Sequence, residues 1–243
     1  MNTALILSGG TGTRLGTGIP KQYIEVCGKP IILYCIECIS RHPMIDAIQI
    51  VAEEEWHELI SECIGQLAQT KEAEISSKFK GFSIPGATRQ LSIYNGLEAI
   101  KAYAADNDYV FIHDAARPML SAEQITDCLE AVNGHDGVLP VLPMKDTVYS
   151  STDGKTVTAL LNRKEIYAGQ APEVFRLGKY YEANKQLLPD KILQINGSTE
   201  PAILAGMDIV MIPGDENNFK ITTKSDLERF ERVIQDKEHR CTD

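Results

Sequence analysis

A glycine-rich segment carrying two cations follows the first apolar run of the sequence. The run TALIL at residues 3–7 leads into GGTGTRLGTGIPKQY, where Arg14 and Lys21 accompany repeated glycines. Glycines let backbone N–H groups approach a phosphate closely, and arginine and lysine supply charge that stays fixed during a reaction. The segment therefore predicts a cradle for phosphate groups, against the simpler interpretation of a flexible loop with two solvated cations.

Two familiar nucleotide loops do not match this segment. A P-loop requires GxxxxGK followed by serine or threonine, and no lysine stands at that spacing. The dinucleotide fingerprint GxGxxG fails because Leu15 occupies the place of its third glycine, which disfavours a dinucleotide-dependent oxidoreductase although Glu53 closes the second predicted strand. What remains is GxGxRxG from Gly10 with Lys21 behind it, a pattern that suits a nucleotidyltransferase.

The segment IPGATRQLSIYNGL supplies a second group of candidates. Gly86 and Arg89 precede Ser92 near the start of a predicted helix. A serine in that place, next to a glycine turn, is most often a cap of the helix or a staple of the backbone. Taken alone, Ser92 therefore predicts a helix cap rather than a ligand contact.

The segment FIHDAARP ends an apolar strand with His113, Asp114 and Arg117 close together. A carboxylate at the carboxyl end of a strand, beside a phosphate loop, is well placed to hold Mg²⁺ or a ribose hydroxyl. Asp114 is therefore a candidate metal and ribose ligand. His113 is more simply explained as a hydrogen-bonded histidine with no chemical role.

The elements that must position these residues alternate between short apolar runs and helical periods. Predicted strands are TALIL, AIQIV, FSI and YVFIHD, and predicted helices begin at Pro30, pass through Trp56, run from Arg89 to Ile100 and cover AEQITDCLEAV. This alternation predicts an α/β fold with a mostly parallel sheet covered by helices on both faces. Ligands of such sheets bind at the carboxyl ends of the strands, where the three candidate segments begin.

In the second half of the chain the regular alternation of predicted strands and helices stops. Residues from Asp146 to about 170 carry β-branched alternation around Asp153-Gly154, which predicts a hairpin arm protruding from a single domain of residues 1–243. MDIVMIPG and FKITT are predicted strands, SDLERFERVI a capped amphipathic helix, and QDKEHRCTD a frayed tail.

Composition narrows the class of protein further. The chain has 243 residues, 43% of them hydrophobic, with a net charge of −10 and a pI near 5.0, so a nucleic-acid binder is disfavoured. No signal sequence or membrane span stands out, and we expect a cytoplasmic protein. The CxxC of Cys35 and Cys38 lies on the apolar face of a predicted helix and predicts core cysteines rather than a zinc site.

Six motifs in order resemble the cytidylyltransferase family that includes methylerythritol-phosphate and ribitol-5-phosphate cytidylyltransferases. They are GGTGTRLGTGIPKQY, GATRQLSIYNGL, HDAARP, DTV, NRKEIYAGQAPEVF and NFKITTKSDL, spread over roughly residues 3 to 230. The resemblance implies a Rossmann-like nucleotidyltransferase core and a β-arm that is exchanged across a homodimer. It also implies a reaction in which CTP and a polyol phosphate give a CDP-polyol and pyrophosphate, with Mg²⁺.

The resemblance further implies a role for each matching residue. Arg14, Lys21 and Lys220 match the catalytic cations. The nucleotide-binding positions are Leu7, Ser8, Gly9, Gly10, Gly12, Gly86, Arg89, Ser92, Asp114 and Ala115. Asp114 also serves the metal. Thr147 and Arg163 from the arm, together with Arg117, match positions that bind the acceptor, the arm residues acting in the neighbouring subunit.

The departures from the family pattern concern the acceptor more than the nucleotide. Ala171-Pro172-Glu173 stands where the family usually has TPQ, and Pro85 stands where a first glycine is common. Tyr167 replaces the tryptophan typical of the methylerythritol branch and favours a ribitol-5-phosphate-type acceptor. Two alternatives stay open: a sugar-1-phosphate nucleotidyltransferase that uses another nucleoside triphosphate, and a CTP-binding protein without turnover.

Overall fold

A computed structural model describes residues 1–10, 18–69 and 75–240. Within these ranges the strands are β1 (Asn2–Leu7), β2 (Glu25–Val26), β3 (Lys29–Pro30), β4 (Ala47–Val51), β5 (Phe79–Ser83), β6 (Tyr109–Asp114), β7 (Gly137–Pro143), β8 (Val148–Ser150), β9 (Ala159–Leu161), β10 (Tyr167–Gly169), β11 (Glu173–Arg176) and β12 (Ile209–Pro213). The helices are α1 (Ile31–Arg41), α2 (His57–Ala68), α3 (Ile75–Lys78), α4 (Arg89–Ile100), α5 (Ala122–Ala131), α6 (Leu177–Lys185), α7 (Glu200–Leu204) and α8 (Lys224–Arg240).

One central sheet dominates the fold. Strands β5, β4, β1 and β6 are parallel neighbours in that order, and β11 runs antiparallel between β6 and β7. Strand β7 pairs with β12 along one edge and with β11 and then β10 along the other. The prediction of an α/β fold with a mostly parallel sheet is confirmed.

Helices cover both faces of the sheet because successive strand residues face opposite sides. In β1, Ala4 and Ile6 belong to the hydrophobic cluster formed with α1, α2 and α5, whereas Leu5 belongs to the cluster formed with α4 and α6. All three side chains are fully buried. The predicted helix from Arg89 to Ile100 is α4, with the predicted bounds.

The C-terminal region differs from its prediction in two places. FKITT is not a strand: the Ile221 N–H donates to the Ala116 carbonyl, and Thr222 and Thr223 donate to the Asp226 carboxylate. These bonds hold the segment as the entry to α8. The predicted frayed tail was wrong for residues 235–240, where α8 continues to Arg240, while residues 241–243 lie outside the described ranges.

Two smaller features match their sequence signals. The Asp153-Gly154 turn joins β8 to β9, Gly154 has φ +69°, and the Asp153 carboxylate accepts bonds from the N–H groups of Lys155 and Thr156. The prediction of core cysteines is confirmed for Cys35, which is fully buried and donates from Sγ to the carbonyls of Ala115 and Arg117, whereas Cys38 is partly buried and packs against the edge of the core cluster. The hairpin protrudes, but Tyr167–Gly169 at the end of the predicted arm pairs with β7 in the central sheet.

None of the helices in the described ranges is both long enough and apolar enough to cross a membrane.

Candidate active site

Two clefts open at the carboxyl ends of the central strands and share one wall. The glycine-loop cleft is lined by residues that include Leu7, Gly9, Gly10, Lys21, Gly86 and Ser92. The α7 cleft is lined by residues that include Leu139, Ala171, Glu173, Asn196, Ser198 and Glu200. Arg89, Asp114 and Lys220 line both clefts and form the wall between them.

Asp114, the last residue of β6, is the centre of the shared wall. Its Oδ1 accepts hydrogen bonds from Arg89 Nε at 3.1 Å and pairs with Arg89 Nη2 at 3.1 Å. Its Oδ2 accepts from Lys220 Nζ at 2.9 Å and lies 3.8 Å from Arg117 Nε. One carboxylate therefore holds three cations from three separate segments in fixed positions.

The cations keep Asp114 ionised. Burial alone would raise the pKa of its carboxyl, but Arg89, Lys220 and Arg117 outweigh burial and hold the pKa well below its usual range. Because one negative charge faces three positive ones, the wall carries an excess of positive charge. Such a wall attracts phosphate groups from either cleft.

His113 and Arg117 fix the loop that follows β6. His113 is fully buried, and its Nε2 donates to the Arg117 carbonyl at 3.0 Å. Burial lowers the pKa of His113 to about 4, so the imidazole is neutral at neutral pH. Arg117 Nη1 in turn donates to the Asn218 carbonyl at 2.7 Å, which brings the Lys220 segment to the wall. The simpler interpretation of His113 as a structural histidine agrees with these contacts.

The short helix Lys21–Tyr23 supports the start of the glycine loop through side-chain hydrogen bonds. Gln22 Nε2 donates to the carbonyls of Ser8 and Gly10 at 2.6 and 2.8 Å, and the Tyr23 hydroxyl bonds to Ser8. The Tyr23 ring stacks on Trp56 with 4.1 Å between centroids. Lys21 Nζ donates to the Ile221 carbonyl at 2.6 Å, next to Lys220.

The entrance to α4 corrects one prediction. Ser92 is not the cap of the helix: the cap is Thr88, whose side chain accepts from the Leu91 N–H at 3.2 Å. Ser92 lies within the first turn, where its Oγ accepts from the Gly86 N–H at 3.0 Å and donates to the Thr88 carbonyl at 2.9 Å. A serine that ties this loop to its helix thus shapes the cleft.

The α7 cleft has a polar wall behind Arg89. Arg89 Nη1 donates to Ser198 Oγ at 2.8 Å, and Ser198 Oγ donates to Glu173 Oε2. The Tyr180 hydroxyl donates to the Ser198 carbonyl at 2.6 Å and accepts from Gln90 Nε2. The first two residues of α4 therefore fix the segment that precedes α7.

Most of the expected residues in the described ranges meet at the two clefts. Leu7, Gly9, Gly10, Lys21, Gly86, Arg89, Ser92, Asp114 and Lys220 line the glycine-loop cleft, and Arg117 lines the α7 cleft. Ser8 and Ala115 are buried beneath them. Thr147 and Arg163 are exposed on the arm and line neither cleft of their own chain. Gly12 and Arg14 lie outside the described residues.

Several lining or supporting residues escaped the sequence analysis, among them Gln22, Thr88, Ser198 and Thr222. Thr88 carried a usable signal, because a threonine before a helical period is a common cap. Gln22 and Ser198 carried none, since their partners are set by the folded chain.

The described lining of the glycine-loop cleft has two carboxylates that could contribute to a metal site. Within residues 1–10, 18–69 and 75–240, no cluster of three or more His, Cys, Asp or Glu side chains is placed to hold a metal ion. Asp114 and Glu53 do line the glycine-loop cleft. Mg²⁺ in nucleotide-using enzymes is held by one or two carboxylates together with substrate phosphates, and this donor set fits that mode.

Comparison with known sequences finds relatives over nearly the whole chain. A family model described as 2-C-methyl-D-erythritol 4-phosphate cytidylyltransferase matches residues 3–236. The ribitol-5-phosphate cytidylyltransferase of Streptococcus pneumoniae serotype 2 is 32% identical over 234 residues, which are 95% of this chain and 97% of the relative.

Solved structures share the fold. The 4-diphosphocytidyl-2C-methyl-D-erythritol synthase of Anaerococcus prevotii aligns with a TM-score of 0.80 over 96% of both chains at 23% identity. The 2-C-methyl-D-erythritol 4-phosphate cytidylyltransferase of Francisella tularensis aligns with a TM-score of 0.74 at 26% identity, over 94% of this chain and 97% of that one.

Proposed function

This chain belongs to the 2-C-methyl-D-erythritol 4-phosphate cytidylyltransferase family, and on that premise we propose that it transfers the cytidylyl group of CTP to a polyol phosphate. The observation that carries the proposal is the shared wall. Arg89, Arg117 and Lys220 converge on Asp114 between a glycine-lined cleft and a second cleft. A two-substrate phosphoryl transfer needs such a boundary, with positive charge available to both substrates.

The reaction needs no general base. The acceptor's phosphate is already anionic at neutral pH, so one of its oxygens attacks the α-phosphorus of CTP. The new P–O bond gives a CDP-polyol, while the bond between the α-phosphorus and the bridging oxygen breaks and releases pyrophosphate. Catalysis then depends on positioning and charge stabilisation.

The cations supply that stabilisation. In our proposal Gly9 and Gly10 present backbone N–H groups to the triphosphate, and Lys21 and Lys220 face the charge that develops at the α-phosphate. Lys21 Nζ donates to the carbonyl of Ile221, the residue after Lys220 in the sequence, and both lysines line the glycine-loop cleft. We assign Arg14 to the same charge, and Gly12 to the cradle, from the motif.

We propose Mg²⁺ as the cofactor, held by Asp114 and the nucleotide's phosphates. When bound, the ion neutralises the charge of the departing pyrophosphate. Gly86 and Ser92, tied together by the Gly86 N–H to Ser92 Oγ bond, shape the part of the cleft that we assign to the cytosine.

For the acceptor we favour ribitol 5-phosphate. Two observations support this choice: the 32% identity to the pneumococcal ribitol-5-phosphate cytidylyltransferase and Tyr167 in the arm. We assign the acceptor to the α7 cleft, where Arg117 adds a cation to the shared wall.

We further propose a homodimer in which the arm of one subunit completes the partner's site. The hairpin β8–β9 exposes large apolar side chains, with Tyr149, Val157 and Leu160 between 57 and 66% exposed. An isolated two-stranded hairpin is at best marginally stable in water, and exposed apolar clusters mark interaction surfaces. The arm is also the expected source of Thr147 and Arg163.

We place the enzyme in the cytoplasm. In the described residues Cys35, Cys38, Cys63 and Cys128 form no disulfide, which suits a reducing compartment.

The test is pyrophosphate release with Mg²⁺ for CTP, UTP and ATP against ribitol 5-phosphate, methylerythritol 4-phosphate, glycerol 3-phosphate and glucose 1-phosphate. We expect release with CTP and a polyol phosphate, ribitol 5-phosphate first. Release with UTP and glucose 1-phosphate instead would indicate a sugar-1-phosphate nucleotidyltransferase. CTP binding without release from any acceptor in the panel would contradict the proposed reaction.

A further inference from the structure

Glu173, the first residue of β11, places a buried carboxylate in the wall of the α7 cleft. The residue is 8% exposed and lines the cleft. Its Oε2 accepts from Ser198 Oγ, which accepts from Arg89 Nη1. A chain of hydrogen bonds therefore begins at the guanidinium beside Asp114 and ends at Glu173.

The direction of this chain requires Glu173 as an acceptor. Arginine only donates, and a serine hydroxyl has a single proton to give. Because Ser198 Oγ accepts from Arg89, its own proton points to Glu173, and an ionised carboxylate leaves each of these groups paired. Burial raises the pKa of Glu173 above its usual range, and the Arg89 charge and the Ser198 hydrogen bond offset only part of that rise, so the ionised form is favoured as pH increases.

Glu173 also decides the charge balance of the cleft. Among the described residues, the cationic side chains that line it are Arg89, Arg117 and Lys220, and the carboxylates are Asp114, Glu173 and Glu200. With Glu173 ionised, the two sets cancel. The positive charge lies at Arg89, Arg117 and Lys220, and Glu173, joined to Arg89 through Ser198, adds a carboxylate to the same cleft.

We propose that Glu173 is a specificity-determining residue that selects acceptors with no second anionic group beyond the phosphate. This inference rests on the cytidylyl transfer proposed above. The substrate class is a phosphorylated polyol whose hydroxyl groups donate to carboxylate oxygens. An acceptor with an additional carboxylate meets repulsion from a charge in a partly desolvated wall, where Coulomb interactions exceed those in water.

The experiment compares wild type with Glu173→Gln, which keeps the shape and an acceptor oxygen for Ser198 but removes the charge. The acceptors are ribitol 5-phosphate, its aldonic acid analogue ribonate 5-phosphate, and 1-amino-1-deoxyribitol 5-phosphate, each with CTP. We expect wild type to use the neutral and ammonium acceptors better than the carboxylate. In Glu173→Gln the neutral-over-carboxylate ratio of kcat/KM should fall about tenfold, with the KM for CTP unchanged.

Two variants separate charge from other causes. Glu228→Gln makes the same chemical change on the exposed surface of α8 and should leave all ratios as in wild type. Ser198→Ala removes a hydrogen bond that lowers the pKa of Glu173, so the ratio should fall at neutral pH and recover at alkaline pH, where Glu173 is ionised again. Glu173→Gln cannot recover in this way, and a ratio in Ser198→Ala that stays low at alkaline pH would show that the charge is not the selecting feature.

Two results overturn the inference while the proposed function stands: turnover of ribitol 5-phosphate with an unchanged ratio in Glu173→Gln, or a wild type that does not discriminate among the three acceptors. The second needs no variant and is independent of how Glu173→Gln folds. If wild type releases no pyrophosphate with any polyol phosphate, the proposed function itself has failed.

Discussion

Asp114 is the side chain on which both clefts depend. Removing its charge would leave Arg89, Arg117 and Lys220 close together without their shared counter-charge, so the three cations would repel one another. The residue is thus both a candidate ligand and the support of the cations around it. Variants of Asp114 would change stability and catalysis together, whereas variants of the surrounding cations and glycines can separate the two effects.

Lys21→Ala should lower kcat by about 10²–10³-fold, because one fixed cation would be lost from the transition state. The fold should persist, since the Lys21 side chain is only half-buried and lines the glycine-loop cleft rather than the hydrophobic core. Pyrophosphate release under saturating substrates measures the effect. Lys80→Ala, an exposed lysine on β5, is the control. An unchanged kcat in Lys21→Ala would remove Lys21 from the mechanism.

Gly9→Ala and Gly10→Ala form a matched pair with opposite expectations. A Cβ on Gly9 would overlap the ring of Pro85, whereas a Cβ on Gly10 would meet nothing within 4 Å. Gly9→Ala should therefore lower the free energy of unfolding by about 1–3 kcal/mol. Gly10→Ala should leave stability within about 0.5 kcal/mol but raise the KM for CTP. Urea unfolding and steady-state kinetics distinguish the two, and equal destabilisation would contradict the contact with Pro85.

At this scale Asp114 and Arg89 could be identified because they stand at the ends of elements, Asp114 at the end of β6 and Arg89 at the start of α4. Lys220 was named only through the family resemblance of NFKITT. Ser198 could not be identified, since its bond to Glu173 spans 25 residues and depends on how the chain returns over the cleft. Ser92 was predicted to cap the helix or staple the backbone: Thr88 takes the capping position, and Ser92 is the staple that binds the backbone of Gly86 and Thr88.

Helix α8 is the element that carries the Lys220 segment to the site. Its entrance is a reciprocal capping box: Thr223 Oγ1 accepts from the Asp226 N–H, and Asp226 Oδ2 accepts from the Thr223 N–H at 2.8 Å. Phe230 and Ile234 on the helix pack with Ile221 in a hydrophobic cluster. The position of Lys220 thus depends on the packing of α8 and on its cap, and not only on the strands of the central sheet.

Asp226→Ala should lower the free energy of unfolding by about 1–2 kcal/mol through loss of this cap. Burial alone would raise the pKa of Asp226, but the Thr222 and Thr223 donors lower it to about 2. The stabilisation is therefore fully present above the unfolded pKa of about 3.9 and is lost as pH falls towards 2.

Chemical denaturation of wild type and Asp226→Ala at several pH values measures this difference. It should be the same at pH 7 and pH 5 and should shrink below about pH 4. Asp236→Ala, on the exposed face of the same helix, is the control. A difference that grows on acidification would contradict the assigned cap.

Elements were predictable where periodicity was strong. The runs AIQIV and YVFIHD became β4 and β6 with their predicted bounds, because alternate side chains had two apolar faces to fill. FKITT has the composition of a strand, but its backbone N–H groups are bound by the Ala116 carbonyl and the Asp226 carboxylate instead of by a neighbouring strand. The arm's end was misplaced since pairing of Tyr167–Gly169 with β7 is a long-range choice.

On the scale of the whole molecule, residues 146–166 of the arm line neither of the two described clefts of their own chain. Thr147 and Arg163 are exposed and line neither cleft. Arg163 Nη1 donates to the Lys145 carbonyl within the arm. In the proposed homodimer each arm serves the partner's α7 cleft, so activity becomes a property of the pair.

Mixing two inactive variants tests this arrangement. Arg163→Ala and Lys21→Ala should each be nearly inactive alone, but a mixed dimer has one site with an intact cleft and an intact arm. Random pairing of equal amounts should restore about a quarter of wild-type activity. Lys220→Ala mixed with Lys21→Ala is the control and should restore none, because both residues line the same cleft. No recovery in the first mixture would contradict the exchanged arm.

The stack between Tyr23 and Trp56 gives the protein an intrinsic optical reporter. Trp56 is the only tryptophan in the chain, and its partner ring is anchored through a hydroxyl to Ser8 at the base of the glycine loop. Indole emission responds to the polarity and contacts of its surroundings, so rearrangement of the loop around a nucleotide should change the fluorescence without any label. Equilibrium titrations can then give affinities in the absence of an acceptor, separately from turnover, for every cleft variant that retains the stack.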